Sequence, residues 1–115
     1  MRWYRRLYAG PNAALHMDRI REKASAGAWM AGVYYITLSR AEGGLLEIFH
    51  NTMLRQPVFE KLQRLDVVGV AEGRSEALRL TETIVRDVYE KTGGFDMEAW
   101  FPDEEFQTDR RVRKE

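Results

Sequence analysis

At 115 residues the chain fits one domain, long enough to bury a core without disulfide or metal staples. Eighteen basic residues balance eighteen acidic ones, so no net field draws the chain to nucleic acid or to a membrane. The absence of cysteine excludes a disulfide framework, a thiolate zinc site and a cysteine nucleophile. No run of about 18 apolar residues offers a membrane-spanning helix, and "MRWYRRLY" lacks the apolar core of a signal peptide. The expectation is a cytoplasmic protein.

In chain order, the aromatic-rich "RWYRRLYAG" predicts a first strand over residues 3–8, ended by Gly10–Pro11. A helix follows with Asn12 as its cap and Ala13, Met17, Ile20 and Ala24 as its apolar stripe; Gly27 stops it. "AWMAGVYYITLS" reads as a central strand, with Val33, Tyr35 and Thr37 on one side and Tyr34, Ile36 and Leu38 on the other. "LLEIFH" fits either a helix or a strand, and residues 45–50 are read as a strand paired back onto 33–38. Pro57 opens a short helix carrying Val58, Phe59 and Leu62.

"DVVGVAEG" reads as a buried strand, and Ser75 as the cap of the best helix, whose apolar positions are Ala77, Leu78, Thr81, Ile84, Val85, Val88 and Tyr89. "KTGG" supplies the helix stop and "FDMEAWF" a final edge strand. The order predicts an α+β fold: a two-layer sandwich, mainly antiparallel, with two main helices on one face, ferredoxin-like in spirit. Residues 1–102 form the domain and 103–115 a charged, mobile tail.

The turn Gly73-Arg74-Ser75 is the one place that suggests an anion site. A strand-to-helix turn offers free N–H groups and a positive dipole end. It lacks both glycine-rich phosphate signatures, and Glu72 and Glu76 flank it, so a plain turn is the preferred reading. His16 and His50 are too few and too separated to predict a metal site, and no serine elbow or carboxylate pair is legible. No cofactor is implied.

Arg2, Arg5 and Arg6 interleave with Trp3, while Arg110, Arg111, Arg113 and Lys114 end the chain; arginine with exposed rings is the chemistry of single-strand binding. Trp29, Trp100 and Phe101 are candidate interface residues, since aromatics near edge strands favour contacts.

The segments "VYYITL", "LLEIF", "VVGVAEGRSEALRLTETIVRDVYEKTGGFD" and "AWF" resemble small single-domain proteins of anaerobic Gram-positive bacteria with no established function. The likeness spans residues 7–101, implies a bacterial cytoplasmic protein, and carries no site across. The resulting expectation is a non-enzymatic protein-interaction or self-assembling module, in the form of a homodimer or a complex with another protein. The alternative is a nucleic-acid-binding accessory that uses the two basic ends. An anion or small-ligand binder at residues 72–76 ranks last.

Overall fold

The computed structural model describes residues 1–28, 30–39, 44–52 and 65–108. Strands β1 (Arg2–Ala9), β2 (Val33–Leu38), β3 (Leu46–His50), β4 (Asp66–Glu72) and β5 (Phe106–Thr108) form one sheet in the order β3-β2-β4-β1-β5. Helices α1 (Pro11–Ala14) and α2 (Met17–Ser25) follow β1; α3 (Arg74–Thr92) and α4 (Met97–Trp100) follow β4. Pairings β1–β5, β2–β3 and β2–β4 are antiparallel, and β1–β4 is parallel. The fold is α+β with a mixed, mainly antiparallel sheet. The short helix expected after Pro57, Trp29 and Arg110 to Lys114 lie outside the described residues.

The helices divide between the two faces instead of sharing one. Ala13, Ile20 and Ala24 pack with Trp3, Val33, Tyr35, Val67 and Val70. Ala77, Leu80, Ile84 and Val88 pack with Tyr4, Ile36, Val68 and Ala71 on the opposite face. The cause is the apolar character of β2 and β4 on both sides: Val33, Tyr35 and Ile36 are all buried, as are Val67, Val68, Val70 and Ala71. A sheet with two greasy faces needs a helical layer on each. The structure therefore departs from a two-layer, ferredoxin-like sandwich in its layers while keeping the expected class.

Burial of Tyr35 is matched by hydrogen bonds. Asn51 Nδ2 donates to its hydroxyl at 2.8 Å, and the Asn51 carbonyl accepts from the Met30 N–H at 2.7 Å. Desolvation pushes the Tyr35 phenol well above its ordinary value, so the ring stays neutral and the network stays intact at any physiological pH.

Several local expectations change. Neither Asn12 nor Ser75 caps a helix: the caps are Gly10 and Gly73, which have no side chain to make a cap bond. Gly73 adopts φ +95°, a conformation glycine enters without Cβ strain, so α3 starts two residues earlier and leaves Ser75 exposed inside its first turn. The segment 95–101 forms no edge strand: Met97–Trp100 is a helical turn capped by the Asp96 side chain, which accepts the Ala99 N–H at 3.1 Å. Residues 103–108 are no tail: a 3-10 turn (Asp103–Glu105) leads into β5, where Phe106 is buried. At Arg2–Tyr4, β1 lies between β4 and β5.

The changed cap makes a simple prediction. Ser75→Ala is expected to shift unfolding free energy by no more than about 0.5 kcal/mol, as an exposed substitution does. Gly73→Ala is expected to cost about 1–2 kcal/mol from left-handed backbone strain. Urea denaturation of the two variants checks the order; a larger loss in Ser75→Ala would restore serine as the cap.

Candidate functional site

The carboxyl ends of β1 and β4 lie side by side, and the helices that follow leave toward opposite faces of the sheet. Divergence of this kind opens the crevice where open α/β sheets hold ligands. Here it forms a cleft of about 490 Å³ lined by Gly10, Asn12, Arg74, Ser75, Glu76 and Arg79, among others. The turn singled out from sequence, Gly73-Arg74-Ser75, is one of its walls.

Several of the cleft's backbone donors are already engaged. The Glu76 carboxylate accepts N–H groups from Asn12 at 3.0 Å, Ala13 at 3.1 Å and Glu72 at 2.9 Å. The Gly73 N–H donates to the Gly32 carbonyl at 2.7 Å. A Cβ on Gly10 would collide with the Glu76 side chain, so glycine there is what lets the carboxylate reach α1. Burial raises the Glu76 pKa, but the three backbone donors outweigh it and hold the carboxyl below its ordinary value. A phosphate at the start of α1 would have to displace a well-satisfied carboxylate. The sequence expectation that Glu76 merely repels an anion is thus replaced by a more specific one: it takes the anion's place.

The histidines are locally bonded. His16 Nδ1 lies 3.2 Å from Glu72 Oε2, and His50 Nδ1 lies 2.7 Å from the Thr52 hydroxyl. Among the described residues no group of three or more histidine and carboxylate side chains could hold a metal ion.

The N-terminal basic segment does not assemble a stacking platform. Trp3 is 1% exposed, set edge-on against Tyr35 and covered by the Arg21 guanidinium at 4.7 Å from its ring centre. Arg2 is clamped at 2.8 Å by both Asp66 and Asp103, which raises its pKa and offsets its charge. Arg5 lies 3.6 Å from Glu105, and only Arg6 is left without an acidic partner among the described ion pairs of this segment. Of the candidate interface aromatics, Phe101 is 1% exposed and meets Tyr4 edge-on at 4.7 Å, so it belongs to the core, while Trp100 is partly buried.

A different surface emerges on α3. The sequence reading places Leu78, Val85 and Tyr89 with the core stripe, but the buried stripe is Ala77, Leu80, Ile84 and Val88. At about 100° per residue, Leu78, Val85 and Tyr89 fall within an arc of about 40° beside that stripe. Leu78 is 51% exposed and Tyr89 52%, with Phe95 stacked on Tyr89 at 5.1 Å and itself 50% exposed. On the neighbouring sheet surface, partly buried Tyr34, Leu38 and Leu46 fringe the α3-side core, as does Val85 of α3 itself. Leu46 and Ile48 stand opposite Leu38 and Ile36, on the side of the sheet that α3 covers, and Ile48 is exposed. The outer flank of α3 is an apolar strip open to solvent. No family model, curated protein or solved structure matches the chain.

Loss of the Glu76 carboxylate tests the internal tie. Glu76→Gln is expected to cost about 1–3 kcal/mol at neutral pH, since its amide N–H₂ would face N–H donors. A carboxyl whose folded pKa lies below its ordinary 4.5 stabilises the fold above that value and loses the contribution as pH falls through the lowered one. The stability gap between wild type and Glu76→Gln should therefore narrow as pH drops below 4.5. Urea denaturation across that range decides it, and a gap independent of pH would refute the role.

Proposed function

We propose that this chain is a non-catalytic interaction module that docks a macromolecular partner on the outer flank of α3, in a bacterial cytoplasm. The observation that carries the reading is the strip Leu78–Val85–Tyr89–Phe95, in which Leu78, Tyr89 and Phe95 are each about half exposed. Large apolar side chains gathered in one strip, with charged neighbours on its rim, mark a contact surface more often than a solvated face. Tyrosine and phenylalanine add large contact area at small entropic cost. Two features weigh for it over the competing readings: Trp3 is buried and so offers no stacking face, and the Asn12, Ala13 and Glu72 N–H groups are held by Glu76.

The test is the hydrodynamic size of the labelled chain in a lysate of its source cells. Wild type is expected to run above the mass of one protomer. Leu78→Asp/Tyr89→Asp, altered only at half-exposed positions, is expected to keep its fold and to run at that mass. Equal elution of both chains at one protomer would remove the reading.

A further inference from the structure

We infer that the occupant of the α3 flank is a second copy of the same chain, its α3 lying antiparallel across a two-fold axis near residue 84; this rests on the docking face proposed above. Along one side of the apolar strip run Arg79, Glu82, Arg86 and Glu90, all exposed. Their offsets from Leu78 set them between about 40° and 120° around the helix, on one edge of the strip. None of the four makes an ion pair among the described residues.

The signs along this edge alternate plus, minus, plus, minus, and the order inverts when the helix is reversed. With the axis near residue 84, Arg79 faces the partner's Glu90 and Glu82 faces the partner's Arg86. The two-fold repeats both pairs, so four ion pairs form on one side of the seam. Leu78 meets the partner's Tyr89 in the same register, and Val85 lies close to its own copy. A parallel two-fold pairing would carry this edge to opposite sides of the seam and leave the four charges without these partners. Self-complementarity of one patch under a two-fold is what an isologous dimer requires. The strip and its charged rim offer several hundred Å² per protomer, short of the ~800 Å² of a standard interface, so a micromolar dissociation constant is expected.

Sedimentation velocity of the full chain, from low micromolar to near-millimolar concentration, reads the association. Wild type should pass from one protomer to two. Arg79→Glu/Arg86→Glu makes the edge wholly acidic and Glu82→Arg/Glu90→Arg makes it wholly basic. Each variant alone should bind itself about tenfold more weakly or worse, and an equimolar mixture should regain the two-protomer mass. Circular dichroism verifies that these exposed substitutions leave the fold intact.

Orientation is read by cross-linking, which the absence of native cysteine makes clean. Val85→Cys should form an intermolecular disulfide on oxidation and Leu78→Cys should not; a parallel pair would cross-link at both. A wild-type chain that stays a single protomer, a dimer indifferent to both charge reversals, or cross-linking at Leu78→Cys would each overturn the inference. A single protomer in buffer together with a larger species in lysate removes the second copy and leaves the docking face. A single protomer in both removes both.

Discussion

The carboxylate of Glu76 is the tie on which the upper end of the sheet depends. β1 and β4 run parallel as neighbours, but their chains leave for opposite faces, and nothing in a parallel ladder holds the two departing turns together. Glu76, in the first turn of α3, reaches across and accepts the N–H groups of Asn12 and Ala13, 64 and 63 residues away. The same carboxylate bonds the Glu72 N–H at the end of β4, so one side chain closes both turns. It supplies α1, only four residues long and uncapped by its own side chains, with an acceptor at its N-terminus. The bare backbone of Gly10 makes the approach possible.

The opposite end of the parallel pair is held by a cation. Arg2 opens β1 and bonds Asp66, which opens β4, and Asp103 in the turn before β5. Phe106 lies under the same guanidinium, 5.1 Å from ring centre to the central carbon. Asp66 is almost wholly buried, so removing Arg2 would leave a desolvated carboxylate with less compensation, a far larger effect than loss of a surface pair. The arginine that suggests nucleic-acid contact in the sequence thus fastens the last strand to the first. Basic residues read from sequence carry no information about which carboxylates fold back to meet them.

Legibility followed locality. The alternation of "VYYITL" places β2 with its two buried sides, and "LLEIFH" pairs back onto it in the register Ile36 with Ile48. Both depend on neighbours a few residues apart. The same alternation implies two covered faces, yet counting helices alone puts them on one, because no local feature says which way a chain turns after a strand. The Glu76 tie was invisible for a similar reason: Gly10 and Glu76 signal each other only once β1 and β4 are adjacent. Asp96 is legible in hindsight as an N-cap before "MEAW", but the aromatic residues of that segment suggest a strand more loudly.

The long helix shows how a correct periodicity can still misplace function. Ala77, Leu78, Thr81, Ile84, Val85, Val88 and Tyr89 make a broad apolar arc, wider than one sheet contact can cover. α3 settles with Leu80, Ile84 and Val88 against β4, where Gly69 leaves room: a Cβ there would lie 3.2 Å from Leu80 and 3.3 Å from Ile84. This close approach sets the helix's rotation about its own axis. Once it is set, Leu78 and Tyr89 must turn outward, and the surplus of the arc becomes solvent-facing surface. A helix with apolar residues beyond those its own sheet can bury carries unfinished packing, and the alternating charges along its edge match a reversed copy of themselves. The glycine that seats α3 on the sheet is therefore also what presents the strip to a partner, which couples the interior packing of this fold to the surface on which its proposed function rests.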